Sequence, residues 1–137
     1  MTQNFDLKTW NKNMIEEFRA NHGKVTQFDQ VLLLTTTGRK SGNPYTTPLV
    51  YMKDGDRLLV FASKAGADTN PDWYHNLVAN PRVTLEVGDE KFDATATVTQ
   101  AEERDRLYAA QEKRQPQFTE YQSKTQRKIP VVALERV

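Results

Sequence analysis

Apolar and polar residues alternate most regularly in the second half of the chain. Val83, Leu85 and Val87 alternate with Thr84 and Glu86, and Phe92, Ala94, Ala96 and Val98 alternate with Asp93, Thr95 and Thr97. A period of two places one face of each segment on a core, so both read as half-buried strands. Gly88-Asp89 between them predicts a hairpin. Earlier, the apolar run Val31 to Leu34 continues into Thr35, Thr36 and Thr37, whose branched Cβ atoms favour extended backbone. Strands are also expected at Tyr45–Met52 and Arg57–Ala62, joined through Asp54-Gly55-Asp56, and at Val131–Glu135 after Pro130. Trp10, Met14 and Phe18 recur every fourth residue, with Leu7 and Ile15 beside them, which predicts an amphipathic helix over about residues 4–21 ending near Gly23. Asn70 suits a helix N-cap and Pro71 the first helical position, opening a short helix through Trp73 and Leu77. Ala101 to Lys113 has strong helix-forming composition, and Gln115 to Lys128 reads as a weaker, aromatic helical segment.

Six short strands with hairpin connections imply antiparallel pairing. In so short a chain they close most economically into a small barrel with helices at its ends. The expectation is a mainly β fold with helices (α+β), as a single domain over residues 1–137.

Composition narrows the chemistry. The 137 residues are 37% apolar and 27% charged, with a net charge of +1. That balance argues against a dedicated nucleic-acid binder. Cysteine is absent, and only His22 and His75 are present, so thiolate catalysis is excluded and no metal site is expected. No apolar run approaches a membrane span, and residues 1–10 lack the pattern of a secretory signal. A cytoplasmic protein is the default. The first helix reads foremost as packed on the core; its second reading is a helix resting on a membrane surface or closing a substrate channel, with Trp10 and Phe18 as anchors.

Two polar turns follow strands. Gly38-Arg39-Lys40-Ser41-Gly42 places two cations and a hydroxyl between glycines, which suits an anion cradle; a solvated basic turn is the alternative. Ser63-Lys64-Ala65-Gly66 is a second small-residue loop with a lysine. No nucleophile elbow, zinc-protease pair or phosphate-loop motif occurs. His75, beside Trp73 and Tyr74, reads as a packed residue rather than a base. With no strong nucleophile or metal cluster, a bound cofactor would have to carry difficult chemistry. Both turns could then grip a phosphorylated ligand, with Trp73 and Phe118 or Tyr121 bordering a flat ring.

The runs LLLTTTGRKSGNPYTTPL, FASKAGADTNPDWYHNLVANPRV and EYQSKTQRKIPVV closely resemble the deazaflavin-dependent nitroreductase family of actinobacteria. The resemblance covers nearly everything after about Gln30. It implies a split β-barrel, similar to that of flavin-binding pyridoxine-phosphate oxidase relatives, and binding of coenzyme F-420, an 8-hydroxy-5-deazaflavin with a phosphate and a polyglutamate tail. By the same resemblance, Arg39, Lys40 and Ser41 hold the anionic tail or its phosphate. Ser63, Lys64, Ala65 and Gly66 meet the phosphate and the ring edge, and Trp73 and Asn76 border the ring pocket. The family's chemistry is hydride transfer to a planar, electron-poor acceptor. A quinone, menaquinone in particular, is expected first and nitroaromatics second.

Phe118, Tyr121 and Phe18 are expected at the acceptor pocket, with Tyr121 as the catalytic hydrogen-bond or proton donor. Two positions depart from the nitroimidazole-activating members. Tyr45 stands where they look basic, and Phe118 where they carry a tyrosine; a phenyl ring stacks but donates nothing. Poor turnover of bicyclic nitroimidazoles is therefore expected. A carrier of deazaflavin, lipid or a haem-like ligand, and an FMN-dependent oxidoreductase, are the alternative readings. The assembly is expected to be a monomer or homodimer, with peripheral contact to the plasma membrane open.

Overall fold

The computed structural model describes residues 6–137. In chain order the elements are α1 (Leu7–Ala20), β1 (Val31–Thr37), β2 (Pro44–Val50), β3 (Met52–Asp54) and β4 (Arg57–Phe61), then a 3-10 turn (Lys64–Gly66). There follow α2 (Asp72–Ala79), β5 (Arg82–Val87), β6 (Glu90–Val98), α3 (Ala101–Arg114), α4 (Gln117–Ser123) and β7 (Val131–Arg136). All strand pairs are antiparallel, in the order β2-β1-β5-β6-β7-β4-β3.

Among the described residues, seven strands replace the expected six because Tyr45–Met52 divides at Tyr51. Val50 lies opposite Val31 of β1, whereas Met52 lies opposite Leu59 of β4. β2 and β3 therefore stand at the two ends of the strand order while one residue separates them in sequence. A sheet can satisfy both conditions only by curling until its ends approach, which is the split-barrel form.

The curl gives β1 two covered faces. Leu32 and Leu34 point inward with Val60, Leu85, Val132 and Leu134. Val31 and Leu33 point outward beneath Met14 and Phe18 of α1. Coverage on both faces explains why Val31 to Leu34 is continuously apolar rather than alternating. β4 and β7 repeat the arrangement, with Leu59, Phe61, Val131 and Ala133 packed against Leu107, Tyr108 and Phe118 of α3 and α4.

Helix α1 is tied down at its end. Arg19 donates from Nε and Nη2 to the two carboxylate oxygens of Glu86, at 3.0 and 2.8 Å. That pairing holds the Glu86 carboxyl below its ordinary pKa, chiefly through the hydrogen bond from Arg19. The amide of Gly23 closes the helix on the Phe18 carbonyl at 2.8 Å, and a Cβ at Gly23 would lie 2.5 Å from the Gly88 Cα. The predicted helix extent thus holds within one residue at Ala20, while its first positions, including Asn4, lie outside the described residues. Phe18 is 1% exposed, so it is a core residue and not the lipid anchor of the second reading. Helix α2 starts one residue later than expected, because Pro71 is the flanking residue and the Asn70 side chain is engaged elsewhere.

Tyr108 anchors α4 to α3. Its buried hydroxyl donates to the Phe118 carbonyl at 2.6 Å, and burial pushes its pKa up to about 12. The folded chain therefore holds this proton where an unfolded chain has lost it. Its contribution is complete below the ordinary tyrosine range and disappears as pH rises from about 10 to about 12. Tyr108→Phe is expected to remove the bond, lower stability by about 1 kcal/mol at neutral pH, and flatten the alkaline limb of a urea-denaturation series.

Candidate functional site

The loop after β4 leaves regular structure at Ala62 and turns sharply. Ser63 is right-handed helical, whereas Lys64 and Ala65 have φ of +45° and +53°. A right-handed residue followed by left-handed ones turns consecutive amides towards one concavity, the backbone nest that binds anions. The amides of Gly66 and Ala67 close back on the Ser63 and Lys64 carbonyls at 2.9 and 3.1 Å. Among the described residues, the amides of Ser63, Lys64 and Ala65 have no hydrogen-bond partner. Lys64 is itself a nest residue, and its ammonium donates to the Thr69 hydroxyl at 3.3 Å.

Arg127 holds the loop in that shape. Its guanidinium donates to the carbonyls of Ala67 (2.9 Å), Ala62 (3.2 Å) and Ser63 (3.0 Å), and to Oδ1 of Asn70 (2.8 Å). The carbonyls are drawn to one side, which leaves the amides on the other. Burial lowers the Arg127 pKa from its ordinary value, opposed by the charge of Asp68; arginine starts so high that it stays a cation. Gly66, at φ +85°, seats the loop on α4, where a Cβ would lie 2.7 Å from the Tyr121 carbonyl oxygen.

Ser63 and Ala65 of this nest also form part of a cavity of about 170 Å³. Trp10 and Met14 from α1, Phe28, Val50 and Phe61 form its apolar wall, and Phe118, Tyr121, Gln115 and Gln117 close it from the α3–α4 side. Phe118 is stacked edge-on against Phe61 and Tyr121, with centroids 5.4 and 5.1 Å apart. Such T-shaped contacts fix ring orientation, so the wall is preformed rather than collapsed.

The Arg39 turn is built separately. Gly38 and Gly42 close it through Gly38 N to Asn43 O (2.8 Å) and Gly42 N to Gly38 O (2.9 Å). The Ser41 hydroxyl accepts from the Asn43 amide at 3.1 Å and lies 3.2 Å from the Tyr45 hydroxyl, so it braces its own turn. Lys40 is exposed. Arg39 is clasped by Asn76, whose Oδ1 accepts from the Arg39 amide (3.2 Å) and Nη1 (3.1 Å) while its Nδ2 donates to Thr36 Oγ1. Arg39 Nη2 also approaches Asp72 at 3.9 Å. Both turns therefore meet the start of α2, one through Asn70 and the other through Asp72 and Asn76. Along β2, Pro44 beside the Arg39 turn and Pro48 in the cavity wall are about 13 Å apart at ~3.3 Å per residue. An elongated ligand with a flat head and an anionic tail would match that separation.

The expected site residues fall into groups. Ser63, Ala65, Phe118 and Tyr121 meet at one cavity, with Lys64 and Gly66 in the same turn. Arg39, Lys40 and Ser41 form the outlying turn. Asn76 is 5% exposed and bonded through both ends of its amide, so it positions Arg39 rather than presenting itself to a ring. Trp73 is 7% exposed within the inner core, and Phe18 is sealed beneath α1; neither lines the cavity, and Trp10 and Met14 occupy the α1 side instead. Trp10, read from the sequence as an anchor of a helix on a membrane or closing a channel, lines the cavity, whereas Arg127 and the glutamines of the α3–α4 corner carry roles that the linear pattern did not reveal. A hint for Arg127 was available: a small-residue loop with few side-chain acceptors needs a multivalent donor for its carbonyls.

Among the described residues no group of three or more histidine, aspartate or glutamate side chains could hold a metal ion, and no helix is long and apolar enough to cross a membrane.

A sequence model of the F420H(2)-dependent quinone reductases matches residues 9–136. The chain belongs to this family. An F420H(2)-dependent quinone reductase of Mycobacterium tuberculosis is 48% identical over 108 residues, which span 77% of this chain and 72% of that protein. The solved structure of an F420-H2 dependent reductase, FDR-A, superposes with a TM-score of 0.71 at 38% identity, over 82% of this chain and all of that one. A structure described as a domain-swapped dimer has a TM-score of 0.73 at 34% identity, over 95% of this chain and all of the other. Membership agrees with the deazaflavin family and split barrel expected from the motifs, and with a quinone as the acceptor class the family is named for.

The residues present fit the F-420 coenzyme on structural grounds. Three unpartnered amides and the lysine beside them suit a phosphate, and the cationic Arg39 turn suits a carboxylate tail. The aromatic cavity that Ser63 and Ala65 of the nest help to line suits a flat ring system.

Proposed function

We propose that this chain reduces a quinone to the hydroquinone at the expense of reduced coenzyme F-420. The observation that carries this reading is the unpartnered amide nest on the wall of the same cavity that Phe118 and Tyr121 close. When bound, the reduced deazaflavin supplies a hydride, and a proton completes the hydroquinone. The chain's own groups do the rest. The nest, Lys64, Arg39 and Lys40 bind the anionic parts and so fix where the ring lies. The aromatic wall excludes water and aligns donor and acceptor, which must approach to about 3–3.5 Å. Tyr121 acts as the proton or hydrogen-bond donor to the acceptor oxygen as negative charge builds there.

The test is a fluorescence titration of oxidised coenzyme F-420, with FMN alongside, against the native chain and a Lys40→Ala, Lys64→Ala double variant. The native chain is expected to bind the deazaflavin in preference to FMN. The double variant is expected to lose about 100-fold in affinity, at one to two charge-assisted contacts of ~1.5–3 kcal/mol each. Equal binding of both cofactors, or an unaffected double variant, would overturn the reading. Because Phe118 offers no hydroxyl, bicyclic nitroimidazoles are expected to turn over far more slowly than menaquinone in a product assay.

The relative described as a domain-swapped dimer favours a homodimer here, which sedimentation would report.

A further inference from the structure

The corner between α3 and α4 holds a chain of three glutamines. Gln111 is fully buried, and its Oε1 has no hydrogen-bond partner among the described residues. A leucine would fill such a site without an orphaned oxygen, so the other end of the amide needs an account. Gln111 Nε2 donates to Gln115 Oε1 at 3.3 Å, and Gln117 Nε2 donates to the same oxygen at 3.2 Å. The backbone at 115 is fixed as well, its amide bonded to the Gln111 carbonyl at 2.8 Å and its carbonyl to the Phe118 amide at 3.0 Å. With its oxygen held by two donors, Gln115 has one remaining polar group, its NH2, which has no partner among the described residues. Gln115 and Gln117 both line the cavity, beside Phe118 and Tyr121.

We infer that Gln115 is a specificity-determining hydrogen-bond donor for a carbonyl oxygen of the acceptor, and that Gln111 is the positioning residue that aims it. This rests on the quinone reading of the cavity, and not on how the coenzyme is held. A carboxamide cannot give up its proton at neutral pH, so Gln115 stabilises charge on the oxygen without transferring a proton. That separates its role from that of Tyr121. It also sets the selectivity: a planar ring bearing carbonyls gains a bond that a plain hydrocarbon ring does not.

The test needs no coenzyme and reads binding by equilibrium dialysis, with each probe quantified by its ultraviolet absorbance. The probes are menadione and 2-methylnaphthalene, which share a ring skeleton and differ by two carbonyls. Because the carbonyls also hold menadione in water, the readout is the menadione-to-2-methylnaphthalene affinity ratio of each variant relative to the native chain. Gln115→Leu is expected to lower that ratio about tenfold, the scale of one hydrogen bond made in a buried site. Gln115→Glu, the same shape without the NH2, is expected to do the same. Gln111→Leu is expected to lower the ratio about threefold without lowering Tm, because it removes an orphaned oxygen along with the aiming contact. Retained binding of 2-methylnaphthalene verifies that each variant keeps the folded cavity. The inference is overturned by a ratio that survives Gln115→Leu or Gln115→Glu, or by failure of menadione to bind the native chain. A chain that discriminates the probes as described but ignores coenzyme F-420 would refute the cofactor reading and leave this one standing.

Discussion

Replacing Arg127 with alanine is expected to cost about 2–4 kcal/mol of stability and at least tenfold in coenzyme affinity. The guanidinium donates four hydrogen bonds to a loop of few residues, three of them to main-chain carbonyls. Removal leaves the Ala62 and Ala67 carbonyls without their donor, while the Ser63 carbonyl keeps only its bond from the Gly66 amide, and stranding two carbonyls costs more than the bonds alone contribute. The functional effect follows from the same geometry. The nest amides of Ser63, Lys64 and Ala65 are turned outward because the carbonyls are held inward, so a relaxed loop presents no concavity to a phosphate. Tm is expected to fall by about 10 °C. Arg127→Lys is expected to recover little, since an ammonium on a flexible stem cannot address four acceptors in a fork. Thermal melts with and without coenzyme check this, and equal melts for native and Arg127→Ala would show that Arg127 does not hold the loop in its nest shape.

Gly66→Ala is expected to be the most damaging single-methyl change in the site. The position combines φ +85° with a neighbour 2.7 Å from the added Cβ, and that neighbour is the main-chain oxygen of Tyr121. Left-handed strain contributes about 1–2 kcal/mol, and displacing α4 about as much again. Gly55→Ala separates the two effects. Gly55 has φ +60° but nothing within 4 Å of the added Cβ, so it should show strain alone. Because α4 carries Phe118 and Tyr121, Gly66→Ala is also expected to raise the KM for quinone severalfold, whereas Gly55→Ala leaves it unchanged. Similar losses at both positions in denaturant titrations would mean that the loop does not seat on α4 as described.

These two positions show what the sequence makes legible and what it does not. Strand alternation at residues 83–87 and 92–98 reflects a half-buried face, so both strands could be read directly. The division at Tyr51 could not, because a bend that moves a strand from one end of the sheet to the other leaves the local pattern unchanged. The helix over Leu7–Ala20 was legible from its four-residue spacing, but spacing alone does not say which of Trp10, Met14 and Phe18 meets a cavity and which is sealed. Lys64 and Gly66 announced themselves as a small-residue cationic loop. Arg127 acts across 60 residues or more of sequence on main-chain atoms, and no periodicity encodes such a contact. Asn76 was legible as part of a motif, whereas its role as the clasp on Arg39 needed the fold.

The most direct test of the central claim is anaerobic reoxidation of reduced coenzyme F-420, followed by the returning visible absorbance of the oxidised deazaflavin, with menaquinone as acceptor. Reoxidation that requires both the chain and the quinone, and yields one hydroquinone for each coenzyme oxidised, is the predicted result. Coenzyme that binds but is reoxidised no faster than in the protein-free control, with menaquinone and with simpler quinones alike, would contradict it and leave a deazaflavin-binding barrel without this activity.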